Sequence, residues 1–559
     1  MAFLDILTII LFATGILCTG LLFAKRGKNM KSFFAAGGSV PWAINGLSLF
    51  MGFFSAGTFV VWGSIAYSLG WVSVTIQWTM AIAGFLVGLF IAPHWHKTGA
   101  LTVAEYINNR LGLKTQKVYT LLFLLISLFT TGSFLYPVAK IVEVSTGLPL
   151  PACILLLGGV CILYVAVGGL WAVVVTDVLQ FVILTAAVII VIPLALDKVG
   201  SITDFVNNVP DTFFQPINGD YNIGFIIAFG IYNAIFLGGN WAYVQRYTSV
   251  KTNKDARKVG FLFGGLYLIS PVLWMLPPML YRAFNPGLQG LESEGAYLMM
   301  CKEALPLGLL GMMLGGMIFA TASSLNATLN ISSGVFTNDV YKRLFPNSND
   351  KTLIRVARLS TIAFGILAII VALLIPLMGG IVNVVISVAA LTGVPLYLPV
   401  IWTLFSKRQT GTSIITTTLL SLGVNALFKF ITPGLFNFSL TRAEEMILGV
   451  LFPALILVLF EVYYKMGNKT SILYDSYKRW EKNNNALKAS EAENTKDNSQ
   501  ADNHFSIRVI GFGIMAAGLL ISILGIMADF GNIMVATTGI CLMILGFFIQ
   551  RKTNHNNYN

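Results

Sequence analysis

The stretch Leu49-Phe-Met-Gly-Phe-Phe-Ser-Ala-Gly-Thr58 lies inside an apolar run, residues 41–66, long enough to cross a membrane. Gly52, Ser55 and Gly57 sit where a spanning helix would ordinarily carry Leu, Ile or Val. Five runs later Phe236-Leu-Gly-Gly-Asn240 interrupts the run 222–247 in the same way. A single glycine need only let two helices pack closely. Two interruptions five spans apart read as paired discontinuous helices, each opening a five-helix unit. An odd number of spans per unit inverts one unit relative to the other and leaves unwound backbone at mid-membrane, where carbonyls can hold a cation.

Composition supports a membrane setting. Of 559 residues, 56% are hydrophobic and 11% charged, with a mean hydropathy of +0.78; soluble chains carry about 25% charged residues. About 15 runs meet the length of roughly 20 apolar residues needed to span a bilayer. They predict an all-α polytopic protein of about 14–15 transmembrane helices, with core repeats at about 41–196 and 222–405 in a transmembrane domain over 1–465. A polar linker rich in Lys, Asn, Glu and Ala follows at 466–505, expected to be solvated and partly helical or disordered, before C-terminal helices and a short tail over 506–559. Asp5 stands where a signal peptide would carry bases, so the first run reads as a retained helix.

The net charge of +12 is topological rather than a nucleic-acid signal. Bases cluster in alternate loops, such as Lys25, Arg26, Lys28 and Lys31, then Arg246, Lys251, Lys254, Arg257 and Lys258. Basic loops stay on the cytoplasmic side, which puts the N-terminus outside and the C-terminus inside the cell membrane. The five cysteines form no CxxC pair, the four histidines no zinc pattern, and no Walker A motif appears, so a gradient must supply any energy for transport. No nucleophile–base constellation points to an enzyme.

The ninth run contains Ala320-Thr-Ala-Ser-Ser-Leu-Asn-Ala-Thr-Leu-Asn330. Ser323, Asn326, Asn330, Ser333 and Thr337 recur at steps of three and four and form one stripe, expected to face the inner pathway or neighbouring helices. The Ala320 carbonyl and the Ser323 and Ser324 hydroxyls make a three-oxygen half-site suited to a hard cation; without a carboxylate it suits a monovalent one. Asp177, just inside the sixth run, is an intramembrane carboxylate and so a functional candidate, with a cation or Arg246 as its partner. Lys140 and Glu143 are expected to pair with each other.

Gly168-Gly-Leu-Trp-Ala-Val-Val-Val-Thr-Asp-Val-Leu-Gln180, Ala320-Thr-Ala-Ser-Ser324, Phe336-Thr-Asn-Asp-Val-Tyr341, Gly37-Gly-Ser-Val-Pro-Trp42 and Gln245-Arg246 resemble, in order, motifs of the sodium:solute symporter family. The resemblance covers about residues 1–465 and implies a LeuT-type fold. It implies sodium held by the carbonyls of Met51, Phe54 and Ala320 and the hydroxyls of Ser323 and Ser324. A second sodium, or the surroundings of the first, would involve Asp177 and Asn326; Ala327 stands where an oxygen would be needed, which favours one sodium. Alignment with a sodium–galactose relative places Gln77, Asn240, Thr58 and Tyr267 at the solute, with Trp78 and Trp241 as aromatic walls. The implied function is sodium-coupled import of a sugar or sugar acid by alternating access, with sodium ion, a small solute and the lipid bilayer as partners. An amino-acid or other carboxylate symporter of the proline or pantothenate type is the alternative within transport, and a solute-gated channel or sensor the alternative outside it.

Overall fold

The computed structural model describes residues 2–24, 40–100, 102–164, 170–494 and 496–555. The basic cluster Lys25–Lys31, the Gly37–Ser39 lead-in and Gly168–Gly169 lie outside the described residues, as do the side chains of Ser323, Asn326, Ala327, Asn330, Asn338 and Asp339. A leading helix α1 (Phe3–Ala24) precedes a first set: the broken pair α2 (Trp42–Met51) and α3 (Gly63–Leu69), α4 (Val72–Thr98), the short α5 (Val103–Leu111), α6 (Leu113–Thr146), α7 (Leu150–Tyr164) and α8 (Leu170–Val199). A second set repeats the order: the broken pair α9 (Ile223–Gly239) and α10 (Trp241–Thr248), α11 (Asn253–Phe284), the short α12 (Ala296–Ala304), α13 (Leu309–Val335), α14 (Asp350–Leu374) and α15 (Ile381–Phe405). Then come α16 (Gly411–Phe436), α17 (Arg442–Met466), α18 (Tyr474–Asn494), α19 (Lys496–Ile526) and α20 (Asn532–His555).

Among the described residues, 10 helices are long and apolar enough to cross a membrane, and α9 with α10, bent by 60°, makes one more. Helix ends are written in the sequence. Thr102, Asn222 and Thr252 cap α5, α9 and α11 by accepting the backbone N–H three residues on, and Thr441 with Glu444 forms a capping box on α17. Glycines let α4 and α11 approach closely. A Cβ at Gly260 of α11 would stand 2.6 Å from the Gly88 Cα of α4, and one at Gly84 would stand 2.7 Å from the Gly264 nitrogen. The two helices touch backbone to backbone there.

Long-range polar contacts fix the termini of the core helices. Asp5 Oδ1 accepts from the amides of Gly308 and Gly311 (2.8 and 3.1 Å) and so caps α13 from α1. Glu294, between α11 and α12, accepts from the Ile381 amide (2.9 Å) at the start of α15 and from the Tyr136 hydroxyl (2.8 Å) of α6. Burial raises the Glu294 carboxyl above its ordinary 4.5, with the Tyr136 and Ile381 hydrogen bonds opposing the rise. The folded state therefore holds this proton more tightly than the unfolded chain. Stability falls as pH rises from 4.5 through the raised value. Thermal melts across that window are expected to show this slope, and Glu294→Gln, which keeps an acceptor for Ile381, to flatten it.

The polar segment after α17 is not a free linker. Its helix α18 docks on the end of α4, with Asn484 and Asn485 donating to the carbonyls of Gly99 (2.7 Å) and Lys97 (2.9 Å). Tyr474 and Tyr477 cover the fully buried Arg110 of α5, with ring centres 5.0 and 6.0 Å from its guanidinium carbon.

Candidate functional site

The first break spans residues 52–55 and ends in a π-helical turn, Thr58–Trp62. The backbone donors that would continue α2 are drawn elsewhere. The Ser55 amide donates to Thr58 Oγ1 (3.3 Å) rather than to the Met51 carbonyl, and the Thr58 amide donates to Ser55 (2.9 Å) rather than to the Phe54 carbonyl. The Thr58 hydroxyl in turn donates to the Phe53 carbonyl. The Ala56 amide crosses to Thr321 Oγ1 of α13 (3.0 Å), which sets the break against α13 at the level of Ala320 and Ser324. Glycine at position 52 leaves room for Tyr243, since a Cβ there would stand 3.2 Å from its ring. Phe54 anchors the break by stacking on Trp274 of α11 (4.0 Å between centres, 9° between planes).

The Ser324 hydroxyl lies 3.4 Å from the Ala320 carbonyl oxygen. This is the hydroxyl's hydrogen bond to its own helix, like those of Thr321 to Met317 (2.9 Å) and Thr328 to Ser324 (3.0 Å). Ser324 lines a cavity of about 100 Å³ together with Ser48, Gly52, Asp177, Arg246 and Thr328. The face of α13 turned to this cavity is Ser324, Thr328 and Ile331. It lies beside the predicted stripe, whose Ser333 and Thr337 are buried at 5% and 4% exposure and whose Asn326 and Asn330 side chains are outside those described.

Asp177 accepts from the Ser48 hydroxyl (2.6 Å) and faces Arg246 at 3.9 Å, the second of the two partners expected for it. Lys140 and Glu143 pair at 2.8 Å, as expected.

The second break bends α9 against α10 at Asn240, whose φ/ψ of −63°/130° leave the helical region. The preceding glycines also allow close approach: a Cβ at Gly239 would stand 2.6 Å from Tyr397 Cβ, and one at Gly238 would stand 2.7 Å from Ile91. Asn240 caps α10 by accepting from the Ala242 amide (3.0 Å), and donates to the Tyr397 hydroxyl (3.3 Å).

A second cavity, of about 180 Å³, lies between the two breaks. Thr58, Gln77 and Tyr267 line it, while Asn240 lines the neighbouring 100 Å³ cavity; Gly52, Phe236, Tyr243 and Tyr397 border both. Trp78 and Trp241 line neither. Trp78 donates to the Leu268 carbonyl (3.0 Å), and Trp241 stacks on Phe123 (4.5 Å, 3°), so both pack helices together and neither walls a solute. Residues not expected from the sequence complete the lining, among them Trp62, Ser133, Asn233 and Thr392. Asn233 lies two turns before Asn240 on α9, so helical periodicity could have found it.

The family model for the sodium:solute symporter family matches residues 33–421. A sodium/glucose cotransporter of Vibrio parahaemolyticus is 28% identical over 421 residues, covering 68% of this chain and 76% of the relative. A sodium/sialic acid symporter of Proteus mirabilis is 25% identical over 381 residues, covering 65% and 76%. A solved sodium-coupled sialic acid symporter in a substrate-bound outward-open state superposes with a TM-score of 0.69 at 21% identity, over 82% of this chain and 98% of that one. The fold is thus the LeuT type that the family resemblance implied. A match over this much of the sequence, on a fold with two broken helices around one cavity, places the protein: the chain belongs to the sodium:solute symporter family.

Proposed function

We propose that the protein is a sodium-driven importer of a sugar or sugar acid that works by alternating access. The observation that carries this reading is the first break lining the 180 Å³ cavity, with its Met51 and Phe54 carbonyls stripped of their helical donors, while the second break reaches the adjoining 100 Å³ cavity at Asn240 and Phe236 borders both. The relatives named for glucose and sialic acid support the solute class. Sodium is held by the carbonyls of Met51, Phe54 and Ala320 and the hydroxyls of Ser323 and Ser324. Asp177 is engaged with Ser48 and Arg246, and Ala327 offers no side-chain oxygen, which favours one sodium per cycle. The solute lies against Thr58, Gln77, Tyr267 and Asn233, with Asn240 bordering the inner side.

The basic loops orient the chain with its N-terminus outside and its C-terminus in the cytoplasm. One charge moving down about 100 mV contributes about 2.3 kcal/mol, and the sodium concentration ratio adds to it. An ion shifts the two states only by its differential affinity. The site must therefore be better formed in the outward-open state, and movement of α13 against the first break supplies that difference.

In proteoliposomes, uptake of a labelled solute is expected to require an inward sodium gradient, and sodium uptake to require the solute. Sodium flux without solute would mark a channel, and solute uptake indifferent to sodium would sink the reading.

A further inference from the structure

We propose that the solute is electrically neutral and hydroxyl-bearing, a neutral monosaccharide or polyol rather than a sugar acid. This rests on reading the 180 Å³ cavity as the solute site and narrows what that site accepts. A cavity of this size, below the roughly 300–1,000 Å³ of drug-sized sites, admits one small ring.

Three observations point the same way. First, no Asp, Glu, Lys, Arg or His is among the described residues that line the cavity. The nearest cation in the neighbouring cavity, Arg246, already faces Asp177 at 3.9 Å.

Second, the helix N-termini at the two breaks, which would otherwise attract a carboxylate, are closed by the protein's own oxygens. At the first break Thr58 and Thr321 hydroxyl oxygens take the amides of Ser55 and Ala56. At the second, Asn240 Oδ1 takes the amide of Ala242. A carboxylate would find no counter-charge among the described lining residues and would have to compete with these oxygens for the Ser55, Ala56 and Ala242 amides.

Third, the amides of the lining turn their nitrogens onto the protein. Gln77 Nε2 donates to the Ser73 carbonyl (3.4 Å), and Asn233 Nδ2 donates to Thr79 Oγ1 (2.8 Å). Gln77 Oε1 is buried with no hydrogen-bond partner. The reverse orientation of this amide would set two oxygens against each other, so the oxygen is the atom left over. A buried acceptor without a donor is a cost that a ligand can remove. A solute hydroxyl supplies the missing O–H; this marks the solute as hydroxyl-bearing, while its neutrality rests on the two preceding observations. Gln77 is thus a specificity-determining residue that selects a donor.

The test uses the purified full-length protein in detergent and in proteoliposomes. Tryptophan fluorescence, with Trp62 in the cavity wall, is titrated in sodium and in choline buffer. The probes are glucose, galactose and myo-inositol, their acid counterparts glucuronate and galacturonate, N-acetylneuraminate, and proline. At least one neutral probe is expected to give a sodium-dependent signal and sodium-driven uptake, with its matched acid at least about a hundredfold weaker. Gln77→Leu is expected to weaken the neutral probe about tenfold and to leave half-saturating sodium unchanged; the comparison of probes on the unaltered protein stands even where this variant fails to fold. An acid bound as tightly as its neutral counterpart would overturn the inference while leaving sodium-coupled sugar transport in place. Sodium-driven uptake of proline alone would overturn both the inference and the sugar reading. Absence of sodium-driven uptake for every probe would overturn the underlying assignment of function.

Discussion

Replacing Ser324 by alanine is expected to raise the sodium concentration for half-maximal uptake about tenfold to a hundredfold and to leave the fold intact. Its hydroxyl stands 3.4 Å from the Ala320 carbonyl and opens on the 100 Å³ cavity. Loss of one oxygen from a cation, on the scale of a hydrogen bond to a charged group, costs about 1.5–3 kcal/mol, and each 1.4 kcal/mol is tenfold. The hydrogen bond that the substitution removes runs to the Ala320 carbonyl of its own helix, α13. Ser323→Ala is expected to act in the same direction. The measurement is the sodium dependence of uptake at fixed solute, with the melting temperature as the control for folding. Unchanged half-saturation in both variants removes α13 from the sodium site.

Asp177→Asn is expected to cost about 3–5 kcal/mol of stability, because it leaves the buried Arg246 without its carboxylate. A large fall in melting temperature and in yield of folded protein should follow. The pairing of Asp177 with Arg246 also separates two roles that the sequence left open. If the carboxylate chiefly neutralises Arg246, the double variant Asp177→Asn with Arg246→Gln recovers stability beyond either single change, the signature of coupled sites, and keeps its sodium dependence. A double variant that folds and has lost sodium dependence makes Asp177 an ion ligand instead. A single variant that melts with the unaltered protein shows the pair to be energetically idle.

The two breaks were legible because glycine, serine and asparagine inside an apolar run are costly unless the backbone there is unwound or closely packed. At Gly238 and Gly239, the last residues of α9, the reason is close packing, since a Cβ at either would press on a neighbouring helix, and the unwound residue is Asn240. The proposed sodium half-site could be read from the sequence for a local reason: Ala320 and Ser324 are one turn apart on one helix. Contacts across hundreds of residues were not legible. Asp5 looked only like an argument against a signal peptide, yet it caps α13 across 303 positions. The aromatic walls failed for the opposite reason: Trp78 and Trp241 have the right chemistry, but rotation about the helix axis turns them onto Leu268 and Phe123. Polar residues at helical spacing mark a face, and the neighbour of that face is set by packing that a single sequence does not state.

Arg110 has a life in time as well as a place in the fold. Its guanidinium donates to the Ser406 carbonyl (2.8 Å) and lies under Tyr474 and Tyr477, all made hundreds of residues after it. In the proposed topology, while α1 to α8 are being synthesised its charge counts toward holding its loop on the cytoplasmic side. Its enclosure waits for α18, so in that topology one side chain first biases insertion and later closes the finished inner face.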